Sequence, residues 1–212
     1  FNEFAYSQYL GAGDALPGSE PVDGDVLLAY FTFLVRAKEQ NLIPDAVLSI
    51  SNTLMAWDAF VAAKRGFAET STHVAFAHWD SISTGVVQYG PLLSRGGTAP
   101  PSARVWAFVI ISSDAQQQEL SLALLQTLLA PELHSQWGRV AMYVPTQPAA
   151  FELWRNSSPY YGFLQQQLAT AFAFPNSRRF VDLNHRMQSA QEEVLRGEMT
   201  PEEAVLYVQT TP

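Results

Sequence analysis

Apolar residues recur at helical spacing over residues 25–42, at Val26, Leu27, Tyr30, Phe31, Leu34 and Val35, which predicts an amphipathic helix. Asp23 or Asp25 would cap its start, and Pro44 would end it. Ser51 or Asn52 then caps a second helix through Met55, Phe60 and Ala63 that stops near Gly66. Residues 73–77 (HVAFA) are short, apolar and flanked by polar positions, so a buried strand is expected there. Residues 81–89 read as a short helix and 90–102 as a Gly/Pro/Ser loop. Residues 104–112 (RVWAFVIIS) form a continuous run rich in β-branched side chains, and this is the strongest strand signal in the chain.

Beyond it the pattern turns helical. Asp114 caps a helix through Leu129, and Pro131 opens another through Trp137. Residues 138–148 read as extended, and helices follow near 148–155, 159–172, 176–196 and 200–209. The last opens Thr200-Pro201-Glu202-Glu203, a threonine cap with a first-turn proline and a capping-box glutamate. At the other end, residues 1–23 suggest a short helix or turn and then a loop through Gly13-Asp14 and Pro17-Gly18. No internal repeat interrupts this. Helices outnumbering strands place the chain in the α/β class with a small buried sheet.

Composition narrows what such a fold could do. The 212 residues are 48% hydrophobic and 15% charged, enough apolar material for a sizeable core, which excludes disorder. Twelve Lys+Arg against 20 Asp+Glu leave a net charge of −8, which argues against nucleic acid or anionic membrane as a main partner. The absence of cysteine removes disulfides, thiolate catalysis and cysteine-rich zinc sites together. No run reaches the roughly 18–20 apolar residues of a membrane span.

Catalytic signatures are missing: there is no G-x-S-x-G elbow, Walker loop, H-E-x-x-H or dinucleotide glycine fingerprint. The four histidines, His73, His78, His134 and His185, have no metal-ligand spacing, and no cofactor is expected. The carboxylate pairs Glu192-Glu193 and Glu202-Glu203 read as solvated helix faces. Asn156-Ser157-Ser158 is a formal glycosylation sequon that reads as loop. An enzyme is therefore disfavoured.

Aromatics are the richer signal, at 12% of residues with five tryptophans. Trp57, Trp137 and Trp154 fall at apolar-face spacing and read as packing. Trp79 and Trp106 instead lie at the margins of the two predicted strands, where open α/β sheets form ligand crevices. An indole there can lay its face on the apolar C–H face of a sugar and keep its N–H as a polar handle.

The order of these segments resembles a known family. Val74-Ala75-Phe76-Ala77-His78-Trp79 looks like a strand followed by a ligand-facing tryptophan. Gly96-Gly97 followed by Trp106-Ala107 and Ile110-Ile111-Ser112-Ser113 looks like a return strand into another lobe. Leu125–Trp137 with Gly138 and Tyr143-Val144-Pro145, and Gly197 with Thr200-Pro201-Glu202-Glu203-Ala204, complete the pattern. Together, in this order over essentially the whole chain, they resemble the family 1 extracellular solute-binding proteins of ABC importers, the maltose- and sugar-binding type.

The resemblance implies a periplasmic-binding-protein-like type II fold, of which this chain would be the C-terminal lobe with part of the N-terminal lobe. Residues 1–102 and 147–212 would form the C-terminal lobe, with 103–146 an excursion belonging to the N-terminal one. The chain opens at Phe1 without a methionine, as an excised piece would. On the order of 150–200 residues, including the signal segment, would precede it. The implied function is capture of a sugar or oligosaccharide by closure of two lobes about hinges near 102–105 and 145–148, then delivery to ABC permease subunits. The implied location is periplasmic or cell-surface, with membrane contact only through a lipid anchor or the permease. Trp79, Trp106, Tyr6 and Phe180 are the expected aromatic ligand contacts, with Asp80 and Glu3 as hydroxyl acceptors. Lobe core is the competing reading for Tyr6 and Phe180. A carbohydrate-active enzyme domain with two carboxylates across an aromatic groove, or a helical interaction module, are the alternatives for the whole chain.

Overall fold

The computed structural model describes residues 2–12, 22–63, 66–154 and 158–210. The sequon at Asn156-Ser157, the segment 13–21 with its predicted loop, and Phe1 lie outside the described residues. The chain divides into two compact units, one of residues 1–69, 91–103 and 170–212, the other of residues 70–90 and 104–169.

In the first unit four helices share one core: α1 (Asn2–Gly11), α2 (Gly24–Glu39), α10 (Arg178–Arg196) and α11 (Pro201–Gln209). Asp23 is the cap of α2, its carboxylate accepting from the Asp25 and Val26 amides. The helix ends at Glu39, with Asn41 in the left-handed region at φ 57°, before Pro44 is reached. Leu27, Tyr30, Phe31 and Leu34 face Leu183, Met187, Val194 and Leu195 of α10 and Val208 of α11. Inside this apolar packing the Tyr30 hydroxyl donates to Gln191 Oε1 at 2.7 Å, and Gln191 Nε2 donates to the Met187 carbonyl at 2.9 Å. Such buried polar groups cost little only when paired, so this pair fixes how α2 meets α10.

The ends of the last two helices follow the sequence closely. The Ser177 hydroxyl accepts from the Phe180 amide, and α10 stops at Gly197, which takes φ +78° where a side chain would be strained. Thr200 and Glu203 then form the expected capping box. Those hydrogen bonds from Thr200 hold the Glu203 carboxyl below its ordinary range.

The rest of this unit comprises a short 3-10 turn (Asp45–Ser49), α3 (Thr53–Ala63) and a hairpin. Asn52 supplies the α3 cap, accepting from the Met55 amide at 2.9 Å. The expected loop at 90–102 contains the only paired strands among the described residues, β1 (Leu93–Ser94) and β2 (Gly97–Thr98), antiparallel with Ser94 opposite Gly97. Gln8 of α1 donates to the Leu93 carbonyl at 2.8 Å and tethers the ribbon.

The second unit holds α4 (Thr72–Ala77), α5 (Trp79–Ser83), α6 (Ala115–Leu128), α7 (Pro131–Ala141), α8 (Pro148–Glu152) and α9 (Pro159–Thr170). Both strands expected from the sequence are corrected here. Residues 73–77 lie in α4, because Ser71 caps the turn through the Val74 amide, and alanines 75 and 77 favour helix. A short apolar run suits either periodicity, and the cap decided it. Residues 104–112 carry no regular structure, since a strand exists only in a pair and no segment among the described residues pairs with them.

Residues 138–148 are likewise not extended throughout. Helix α7 continues through Gly138 to Ala141 and stops at Met142, which is left-handed at φ 59°. Gly138 is needed in the helix. A Cβ there would lie 2.8 Å from the Tyr143 carbonyl oxygen and 3.1 Å from the Trp154 ring. The helix at 81–89 is also shorter than expected, with α5 ending at Ser83 and Gly85 at φ 75°. No helix among the described residues is long and apolar enough to cross a membrane.

Candidate functional site

The sequence-predicted site residues fall into both units. Glu3, Tyr6 and Phe180 belong to the first. Tyr6 is fully buried on α1, its ring 5.2 Å from Phe180 and 5.6 Å edge-on to Phe174. Burial pushes the Tyr6 hydroxyl well above the usual phenol range, only partly offset by the nearby Arg186 charge. Phe180 is buried at the start of α10 in the same aromatic knot, and Glu3 is half-buried in the first turn of α1. Both rings therefore pack in the core of their unit.

Trp79, Asp80 and Trp106 belong to the second unit. Trp106 is 80% exposed. Asp80 is exposed in the first turn of α5, where its backbone carbonyl accepts from the Thr84 hydroxyl at 2.6 Å. Trp79 is half-buried and sits among rings on three sides. It stacks on Tyr161, with centroids 5.7 Å apart and planes 20° from parallel, lies 5.6 Å from Tyr160, and tilts toward Phe76 at 6.4 Å.

This aromatic cluster is built by α4, α5 and the first turns of α9, with Trp154 at its base. The Pro159-Tyr160-Tyr161 start of α9 puts two consecutive tyrosines on adjacent faces of one turn, so Tyr160 turns inward and Tyr161 stays half-buried beside Trp79. Tyr89 closes the side, edge-on to Tyr160 at 4.9 Å and 5.0 Å from Phe163. Trp154 is 1% exposed, edge-on to Phe76 at 5.8 Å and 5.2 Å from Tyr161. Its Nε1 donates to the Ser135 carbonyl at 3.1 Å, and the Arg139 guanidinium lies 5.8 Å from its ring. The base is fixed in place while Trp79 and Tyr161 reach the surface.

The hydroxyl chemistry follows from depth. The Tyr160 phenol is pushed up to about 12, first by burial and then by the neighbouring Tyr161 and Tyr89, so it remains a neutral donor and acceptor. Tyr89, Tyr160, Tyr161 and Phe163 were absent from the sequence-derived set. The Tyr-Tyr pair just inside a proline-started helix was the available signal, and only the folding of α9 against α5 brings it to Trp79.

A second row of rings runs along α7. Trp137 and Tyr143 stack at 6.2 Å and 16°, and His73 lies 5.6 Å beyond Tyr143. Trp137 is 48% exposed, in contrast to the buried role expected for it, because α7 turns its buried face, His134, Ser135 and Gly138, the other way. The His134 imidazole is held below its ordinary value of 6.5 by burial. A lowered histidine value means that the unfolded chain takes up the proton first. The stability it contributes is complete above about pH 6.5 and is lost as pH falls beneath it. His134→Leu should therefore flatten the loss. The urea midpoint of the native chain should drop more between pH 7.5 and 5 than that of the variant, and equal drops would remove His134 from the acid response. Among the described residues no cluster of three or more His, Asp or Glu side chains could hold a metal.

No family model and no curated protein matches this sequence. Solved structures do. A cyclic α-maltosyl-1,6-maltose binding protein from Arthrobacter globiformis superposes with a TM-score of 0.71 at 14% identity, over 98% of this chain and 54% of its own. The maltose-bound MalE3 of T. maritima gives a TM-score of 0.72 at 20% identity, over the same shares. This chain has the periplasmic-binding-protein-like fold. It spans about half the length of these two solved chains, the first a binding protein by name and the second solved with maltose bound.

Proposed function

We propose that the chain is part of the substrate-binding component of an ABC importer and captures a sugar or oligosaccharide between two lobes for delivery to a membrane permease. In this reading residues 103–146 belong to the second lobe, the protein works outside the cytoplasm, and a lipid anchor or the permease supplies its only membrane contact. The observation that carries it is the half-buried Trp79 stacked on Tyr161 over a fixed aromatic base, in a fold shared with two maltose-type binding proteins. A pyranose presents an apolar C–H face and a rim of hydroxyls. Two surface-reaching rings suit the face, and the phenols of Tyr89 and Tyr161 with the Asp80 carboxylate suit the rim. Trp106 is a further candidate platform. Tyr6, Phe180 and Glu3 act in this reading by shaping the lobe that carries them.

Trp79→Ala tests this. Calorimetric titration of maltose and longer α-glucans into the full polypeptide carrying these residues should show affinity reduced on the order of tenfold to a hundredfold, because stacking contacts of this kind are worth roughly 1–3 kcal/mol. Thermal stability should change little, since the ring is only half-buried. A loss of about 3–5 kcal/mol of stability with unchanged sugar affinity would make Trp79 core. The 212 residues alone should bind sugar weakly, because one lobe leaves half of a ligand's surface in water.

A further inference from the structure

Two sets of rings reach the surface of the second unit, and the sugar reading of Trp79 and Tyr161 uses only one of them. The other is the row on α7. Trp137 and Tyr143, 48% and 36% exposed, lie 6.2 Å apart with planes 16° from parallel. That is an offset stack, in which each ring leaves part of its face uncovered. His73, also exposed, extends the row 5.6 Å beyond Tyr143. Packing within the unit does not account for this orientation. Helix α7 buries His134, Ser135 and Gly138 and leaves Leu133, Trp137 and Val140 outside. Exposed apolar patches rimmed by polar groups mark surfaces that take a ligand or a partner.

Both sets are held by the same two supports. On α4, His73 and Phe76 are one turn apart, about 5–6 Å between Cβ atoms, and Phe76 packs against Trp79, Trp154 and Tyr161. On α7, Gly138 follows Trp137 directly and lies so close to the Trp154 ring that an added Cβ would be 3.1 Å from it. Trp154 in turn lies 5.2 Å from Tyr161. Along the exposed side of α4, His73 is followed by Ala77 and then Asp80, so only a methyl projects between the two sets.

The two sets also share one chemistry. Each offers uncharged ring surface with a polar rim, the second rim being the Tyr143 phenol and the His73 imidazole, both able to bond hydroxyls. A single sugar unit cannot span from one set to the other. A chain of linked units repeats an apolar face and a hydroxyl rim at every step and meets both. We infer that Trp137, Tyr143 and His73 form a second sugar subsite, and that the ligand is an oligosaccharide with one end on Trp79 and Tyr161 and its later units on this row. This rests on the sugar reading of Trp79, and adds to it a second set of contacts and a minimum ligand length.

Calorimetric titration of the full polypeptide carrying these residues with maltose, maltotriose, maltotetraose and maltohexaose tests it. Native affinity should rise with length. Trp137→Ala and, separately, Tyr143→Ala should flatten that rise, weakening maltohexaose on the order of tenfold and maltose by under about twofold, whereas Trp79→Ala weakens every member of the series. Native affinity that is independent of length, or a length dependence unchanged in both variants, would overturn the second subsite and leave Trp79 as a sugar contact. A fall in melting temperature for Trp137→Ala as large as that for Trp154→Ala, with the length dependence intact, would overturn it too, by making Trp137 a packing residue. A native polypeptide that binds none of the four glucans would overturn both readings.

Discussion

Trp154→Ala is expected to destabilise the chain by about 3–5 kcal/mol, the range for truncating a fully buried large aromatic. Three losses coincide at this position. The indole is 1% exposed, so its whole transfer free energy is forfeited. Its edge-to-face contact with Phe76 and its contact with Tyr161 disappear, and aromatic pairs contribute roughly 0.5–1.5 kcal/mol each beyond area. The hydrogen bond from Nε1 to the Ser135 carbonyl is lost as well. The cavity cannot close easily, because α7 already runs against the ring so closely that a Cβ at Gly138 would lie 3.1 Å from it. Trp137→Ala is the control, since that ring is nearly half exposed and should cost under about 1 kcal/mol. Urea denaturation of both variants checks the contrast, and similar midpoints would show that Trp154 is not the keystone of its unit. On the proposed function, the same variant should also weaken sugar binding, by letting Tyr161 and Trp79 move.

Phe31→Ala should cost about 3–5 kcal/mol in the first unit. Phe31 is fully buried in the middle of α2, its ring 5.5 Å from Tyr30, and it belongs to the core that α1, α10 and α11 share. Its removal also loosens the seat of Tyr30, whose hydroxyl is the partner of the fully buried Gln191. An orphaned buried amide oxygen adds on the order of 1–3 kcal/mol if that bond breaks, so the upper end of the range is expected. Phe33→Ala, two residues along the same helix and 49% exposed, should stay under about 1 kcal/mol. Equal effects of the two would contradict the assigned face of α2. Helix propensity cannot produce the difference, because both changes replace the same residue type in one helix interior.

The fold was legible where a local signal was complete in itself. The Asp23, Asn52, Asp114 and Thr200 caps needed nothing but neighbours in sequence. The apolar row of α2 was read in the same way, since a 3.6-residue period shows one buried face whatever covers it. Where a run was short or apolar throughout, its period carried no information. Residues 73–77 became a helix through the Ser71 cap, and 104–112 remain unpaired because pairing is a property of two segments.

The site divides along the same line. Sequence marked Trp79 as the aromatic to watch, from its position after a small apolar run, and also named Tyr6 and Phe180, which the structure places in a core. Nothing along the chain joined Trp79 to Tyr89, Tyr160 and Tyr161, which lie 10 to 82 positions away. By itself the sequence determined which residues start and stop helices and which faces those helices hide, because caps and periodicity act over a few residues. Only the tertiary structure decided which rings meet, which tryptophan is base and which is surface, and which apolar segment is left uncovered. Those are relations between distant segments, and hydrophobic burial, having no direction of its own, is indifferent to which partner provides it.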